Sequence, residues 1–234
     1  MGNLQEDFIE FMLAAGALRF GDFTTKSGRK TPYFINTGAY VKASQLEKLG
    51  EFYAHALFGA HGDGVDNLFG PAYKGIPLAV TAALALRRLH GLDVSYTFNR
   101  KEPKDHGEGG ALVGLDYAAR SASGPEAAAT RVVLIEDVTT AGTSVRECMP
   151  LITGAGAKVV GLVVSVDRME RGQGALPALK EIENEHGIKT TAIVSFLDLL
   201  AYLESGRGTA DLAGNAVAGL IGRMKEYHHR YGAR

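Results

Sequence analysis

RVVLIEDVTTAGTS, Arg131 to Ser144, is the stretch whose reading decides the fold. Four consecutive apolar residues, Val132 to Ile135, run straight into two carboxylates, Glu136 and Asp137, and then into a turn rich in Thr and Gly. Apolar residues at successive rather than alternate positions mark a strand buried on both faces, as in a parallel sheet. Val145 to Ile152 then has helical character. Open α/β sheets hold their ligands at such a junction, beyond the carboxyl end of a strand. The hydroxyls of Thr139, Thr140, Thr143 and Ser144, with the amides around Ala141 and Gly142, offer donors to a phosphate at the helix N-terminus. Glu136 and Asp137 cannot serve that anion. They suit neighbouring hydroxyls, such as a ribose diol, or a bound cation. A phosphate cradle beside a diol reader describes a sugar phosphate. The competing reading is a doubly wound protein whose acid pair is only a solvated strand end.

Outside this stretch the chain bounds the answer. Its 234 residues, 46% hydrophobic and 22% charged, fit a single domain over 1–234. A formal net charge of -1 gives no support for a nucleic-acid partner, which needs dense phosphate neutralisation. The single cysteine, Cys148, provides neither a disulfide framework nor a multi-cysteine metal site, and its place in a helix predicts a buried thiol. With no leader pattern at the N-terminus and no apolar run of membrane-spanning length, the expectation is a cytoplasmic protein with no membrane partner.

Strand and helix signals alternate along the chain. Leu4 to Leu18 reads as an amphipathic helix, and Phe20–Thr25 and Pro32–Thr37 read as short strands around the cationic turn Lys26-Ser27-Gly28-Arg29. Ser44–Phe58 is helical, and Val65–Phe69 is a strand ending in Gly70-Pro71-Ala72-Tyr73-Lys74-Gly75 before the helix Ile76–Leu89. Lys74 in that turn could meet a second anionic group. After the strand Val94–Phe98, residues 99–110 read NRKEPKDHGEGG, whose charges, glycines and proline oppose regular structure. Such a segment is either a solvated loop or a lid that brings cations onto a leaving anion and excludes water. Residues 117–130 are small, polar and alanine-rich, a surface excursion with little functional content. Lys158–Val166 is a strand followed by Asp167-Arg168, then come a helix (Leu176–Glu185), a strand (Thr190–Val194) and helices over Phe196–Glu204 and about Ala210–Tyr231. The sum is an α/β fold with a mostly parallel central sheet flanked by helices.

VVLIEDVTTAGTS also resembles the PRPP (phosphoribosyl-pyrophosphate) motif of type I phosphoribosyltransferases: an apolar strand, two acids and a TAGT-type turn. Three further stretches, FTTKSGRKTPYFINTG (Phe23 to Gly38), GPAYKG (Gly70 to Gly75) and FNRKEPKDHGEGG (Phe98 to Gly110), are similar to the orotate phosphoribosyltransferases of that family. The resemblance implies the type I phosphoribosyltransferase fold, with residues 1–40 contributing to a small N-terminal hood and residues 99–110 forming a mobile catalytic loop. It implies PRPP contacts from Lys26, Tyr73, Lys74, Arg100, Lys101, Lys104 and His106, and from the motif residues Glu136, Asp137, Val138, Thr139, Thr140, Ala141, Gly142, Thr143 and Ser144. Lys26, Phe34, Ile35, Thr140 and Arg168 fall at the orotate position, Arg168 on the carboxylate side. Ile35 stands where the family often has a second aromatic, so backbone contact rather than stacking is implied there. Lys104, His106 and Asp137 carry the catalytic roles.

By the same resemblance, orotate and PRPP are the substrates, and magnesium arrives mainly on the pyrophosphate, without a protein ligand cluster. The active form is a homodimer with shared active sites. Two alternatives are a transferase for a purine or uracil, and a non-catalytic regulator that senses PRPP. The hood and charged-loop stretches argue against the first. The near-neutral overall charge, an N-terminal segment too short for an obvious nucleic-acid-binding module and the intact charged loop argue against the second.

Overall fold

A computed structural model describes residues 3–24, 28–104, 110–121, 129–139, 142–207 and 214–233. The chain opens with helix α1 (Leu4–Ala14), capped by the Asn3 side chain, and an antiparallel hairpin of β1 (Leu18–Thr24) and β2 (Lys30–Ile35). This hairpin stands apart from the main sheet as the expected hood. Thr25, Lys26 and Ser27 of its turn lie outside the described residues. Helix α2 (Ala43–His61) then leads into the alternating part of the chain: β3 (Asn67–Phe69), α3 (Gly75–His90), β4 (Ser95–Lys104), β5 (Gly110–Gly114) and the short α4 (Tyr117–Ser121). It continues with β6 (Arg131–Thr139), α5 (Thr143–Gly154), β7 (Lys158–Asp167), α6 (Ala178–His186), β8 (Lys189–Ser195), α7 (Phe196–Glu204) and α8 (Gly214–Tyr231).

The six-stranded sheet has the order β5-β4-β3-β6-β7-β8, parallel throughout except for the β4–β5 pairing. From β3 the chain moves outward one way to β4, whereas from β6 it moves the other way to β7 and β8. The order therefore reverses between the adjacent strands β3 and β6, the position where such sheets open a ligand crevice.

Val132 to Ile135 of β6 are wholly buried and alternate between two cores. Val133 and Ile135 pack with the hood-side helices, while Val132 and Leu134 pack with Val145, Cys148 and Ile152 of α5. Each such side chain contributes about 1.5–3 kcal/mol by leaving water, which holds the strand in register. Asp66 tethers the start of β6, accepting from the backbone N–H, Nε and Nη2 of Arg131 at 2.8, 3.0 and 3.0 Å.

Two expectations need correction. Residues 99–104 are not irregular: β4 runs through them to Lys104 and pairs with β5, Asn99 opposite Leu112 and Lys104 opposite Gly110, with a register shift between. The partner strand supplies the backbone bonds that local composition disfavours. Nor is the stretch after 117 all surface, because Tyr117 is buried and its hydroxyl donates to Asn67 Oδ1 at 2.7 Å. Asn67 is itself buried and donates through Nδ2 to Ser95 Oγ and Thr97 Oγ1 at 2.9 and 3.0 Å, so the polar group in the core is satisfied. Residues 122–128 lie outside the described residues.

Candidate active site

The loops after β3 and β6 stand side by side at the reversal point. In the first, Gly70 and Gly75 close a tight turn. A Cβ on Gly70 would lie 2.2 Å from the carbonyl oxygen of Gly75, so no larger residue fits without moving backbone. Asn99 of β4 braces this loop through Oδ1, which accepts the Ala72 N–H at 2.8 Å. The peptide between Ala72 and Tyr73 is cis. Tyr73 and Lys74 are exposed, and Lys74 sits at the N-terminus of α3.

The second loop begins with the two acids, which successive pleats send to opposite faces of the sheet. Asp137 faces the hood, where its Oδ2 accepts from Thr37 Oγ1 at 2.6 Å and from Lys74 Nζ at 3.3 Å. The two loops are thus joined through one ion pair. Glu136 faces α5, where it is buried and hydrogen-bonded to Ser144. Burial first, and then the neighbouring Asp137 charge, push its carboxyl up to about 7. Tyr53 Oη donates to the Glu136 carbonyl at 2.7 Å and Ser165 Oγ to the Asp137 carbonyl at 2.6 Å, which fixes the backbone at the acid pair.

Val138 packs partly buried against the hood-side core, and the backbone of Thr139 pairs with Asp167 of β7. Thr140 and Ala141 lie outside the described residues, as does the Thr139 side chain. Gly142 precedes α5 with φ 69°, and a Cβ there would meet Ile182 Cδ1 at 2.7 Å. Thr143 and Ser144 open the helix, both exposed. Behind them Cys148 is buried, its thiol pushed up to about 12 by burial and then by Glu136, as suits an inert core group.

Arg100 is half-buried and Lys101 exposed on β4, and Lys104 ends that strand with only its backbone described. His106 lies outside the described residues. In the hood, Phe34 is exposed and stacks on Phe23 at 5.4 Å between ring centroids, while Ile35 packs partly buried on the core.

Arg168 is placed differently from a bare strand-end cation. Buried at the end of β7, it donates through Nε to Glu170 Oε1 at 2.7 Å and through Nη2 to the Tyr227 hydroxyl at 3.1 Å. Its guanidinium lies 4.5 Å from the Tyr33 ring centroid. Thr37, Glu170, Tyr53, Ser165 and Tyr227 were absent from the sequence-based site. They sit in unremarkable local patterns, and only the folded chain brings them to the loops.

The fold corresponds to a known class: residues 36–189 match the Phosphoribosyl transferase domain family. Among full-length relatives, the orotate phosphoribosyltransferase of Lachnoclostridium phytofermentans is 54% identical over 204 residues, 87% of each chain. That of Clostridium beijerinckii is 48% identical over 237 residues, covering 100% of both chains. The crystal structure of the Francisella tularensis orotate phosphoribosyltransferase superposes with a TM-score of 0.79 at 34% identity, covering 97% of this chain and 100% of that one. The chain belongs to the orotate phosphoribosyltransferase family.

Proposed function

We propose that the chain transfers the 5-phosphoribosyl group from PRPP to orotate, giving orotidine 5'-phosphate and pyrophosphate in pyrimidine nucleotide synthesis. Family membership supports the reaction. The geometric observation that carries it is the meeting of Lys74 and Asp137, one from each loop at the strand-order reversal. An anion reader and a hydroxyl reader stand next to each other there, as a ribose carrying pyrophosphate requires.

In the reaction a ring nitrogen of orotate, its N–H proton released to solvent, forms a bond to ribose C1 as the bond from C1 to the pyrophosphate oxygen breaks, and that oxygen keeps the electron pair. Positive charge grows on the ribose and negative charge on the leaving group. Lys74, Arg100, Lys101 and Lys104 supply cations to the leaving side, and His106 supports them. Preorganised charge of this kind is the main device available without a covalent intermediate. Asp137 orients the ribose hydroxyls and its negative charge favours the cationic sugar, whereas Glu136, implied for the same role, faces α5, where burial leaves much of its carboxyl neutral near pH 7. The turn from Val138 and Thr139 through Thr140, Ala141, Gly142 and Thr143 to Ser144 holds the 5'-phosphate at the N-terminus of α5. Tyr73 lines the pyrophosphate side. Lys26, Phe34, Ile35, Thr140 and Arg168 form the orotate side.

Magnesium carried on PRPP would supply further neutralisation of the pyrophosphate charge. The described residues contain no group of three or more metal-ligating side chains. The donor set here, with Asp137 already shared between Thr37 and Lys74, fits a cation carried by the substrate better than one held by the chain. We also infer a homodimer with shared active sites, to be tested by mass in solution, and a cytoplasmic setting. No described helix is long and apolar enough to cross a membrane.

The test is product formation from PRPP and magnesium with orotate, uracil, hypoxanthine or adenine offered separately. Turnover of orotate alone is expected. Turnover of a different base would overturn the orotate reading while leaving the PRPP site, and binding of PRPP without turnover of any base would indicate a regulator.

A further inference from the structure

The Arg168 cluster contains more than its proposed substrate contact needs. Glu170 is buried, and its carboxylate gathers three groups from three parts of the chain. Oε1 accepts from Arg168 Nε at 2.7 Å and from the Tyr227 hydroxyl of α8 at 2.7 Å, and Oε2 lies 3.4 Å from Nη1 of Arg29, in the turn of the hood hairpin. Tyr227 in turn accepts from Arg168 Nη2 at 3.1 Å, so Arg168, Glu170 and Tyr227 close a three-membered ring of hydrogen bonds. The guanidinium also lies over the Tyr33 ring, 4.5 Å from its centroid.

The backbone that carries Arg168 and Glu170 is held with equal care. Met169 between them adopts φ 53°, a left-handed conformation rare for a side chain of that size. Asp167 Oδ1 accepts its N–H at 2.8 Å, and its carbonyl accepts the Ala233 N–H at 3.0 Å. The Arg171 N–H donates to the Tyr231 carbonyl at 3.1 Å and the Ala178 N–H to the Glu170 carbonyl at 3.2 Å. A bend retained against its intrinsic preference, and tied by the C-terminal tail, points to a need for placement rather than for burial alone.

We propose that Glu170, with Tyr227, is a positioning residue for orotate selection: it locks the Arg168 guanidinium in one orientation and couples that orientation to the hood through Arg29. The inference rests on the proposed contact between Arg168 and the orotate carboxylate. The bonds to Glu170 and Tyr227 are made by Nε and Nη2, so the proposed orotate contact draws on the guanidinium donors that these two bonds leave. A guanidinium fixed as a planar fork loses less freedom when it meets a carboxylate. Glu170 also keeps the buried cation compensated before substrate arrives. Burial pulls the Arg168 pKa down, but Tyr33, Glu170 and Tyr227 outweigh it and leave it raised, so the group stays charged.

The experiment compares Glu170→Ala, Glu170→Gln, Tyr227→Phe and Arg168→Ala with the parent, by initial rates with each substrate varied and by calorimetric titration of PRPP alone. Glu170→Ala should raise the orotate KM about 10-fold, equivalent to about 1.4 kcal/mol, with kcat and PRPP affinity held within about twofold. Glu170→Gln keeps an acceptor for Nε and should recover part of the loss, and Tyr227→Phe should shift the orotate KM in the same direction by a smaller factor. A parent-like orotate KM in both Glu170→Ala and Tyr227→Phe, with Arg168→Ala raising it, would overturn the positioning role and leave the Arg168 contact standing. A joint fall in kcat and in the affinities for both substrates would mark Glu170 as purely structural, and this too would overturn the role. If Glu170→Ala does not fold, Tyr227→Phe decides alone. An unchanged orotate KM in Arg168→Ala removes the underlying contact, a result separable from the others.

Discussion

Replacing Glu136 by glutamine should remove a pH dependence from the stability of the protein. The carboxyl is buried against α5 and its pKa stands at about 7 instead of 4.5, because burial and then Asp137 penalise the charged form. The folded chain therefore binds this proton more tightly than the unfolded chain does. Between those two values folding takes up a proton, so the contribution is intact below the lower value and lost as pH rises through the upper one. At about 1.4 kcal/mol for each pH unit between them, the parent loses about 3 kcal/mol from this one group. Glutamine keeps the shape and can still accept from Ser144, but it carries no charge to desolvate. Urea unfolding of parent and Glu136→Gln at about pH 4.5 and about pH 8.5 isolates the term, since every other titrating group is common to both. Glu136→Gln should match the parent at the lower pH and exceed it by about 3 kcal/mol at the higher, or roughly 6–12 °C in Tm for a chain of this size. A stability difference that does not change with pH would refute the reasoning.

Three further outcomes are expected. Lys104→Ala should lower kcat by roughly 10²- to 10³-fold with PRPP affinity little changed; parent-like turnover would remove Lys104 from the chemistry. Asn99→Ala strips the Ala72 N–H of its acceptor and slackens the loop that carries Lys74, so PRPP affinity measured by titration should fall by roughly tenfold. Gly142→Ala combines a φ of 69° with a Cβ 2.7 Å from Ile182 Cδ1, and should cost about 1–3 kcal/mol in urea unfolding, with parent-like stability as the refuting result.

Much of this architecture was written locally. Val132 to Ile135 announced a strand buried on both faces, and β6 is that strand. Phe196–Glu204 appears as a helix at the bounds its periodicity predicts. The candidate site was nameable in sequence at Lys74, Glu136 and Asp137, of which the fold joins Lys74 to Asp137 and turns Glu136 toward α5. It was illegible where the partner comes from far along the chain. Nothing around Thr37 says that its hydroxyl lies on Asp137, a hundred residues away. The β4–β5 pairing was hidden for a related reason: local composition spoke against a strand through Lys104, and the decisive bonds come from Gly110–Gly114. For Arg168, sequence gave the cation but not the buried carboxylate and phenol that orient it.

The bond between Lys74 and Asp137 gives the site a logic of its own. Each is the other's counter-ion, and on the proposed roles each is also claimed by a different half of PRPP, Lys74 by the diphosphate and Asp137 by the ribose. A compound that offers only one half draws one member away and leaves the other to what remains, Thr37 and the Val138 N–H for the carboxylate and solvent for the exposed ammonium. Only a molecule with both halves joined engages both residues at once. Because the lysine is exposed, the pair favours the whole substrate over its fragments by no more than about 1 kcal/mol.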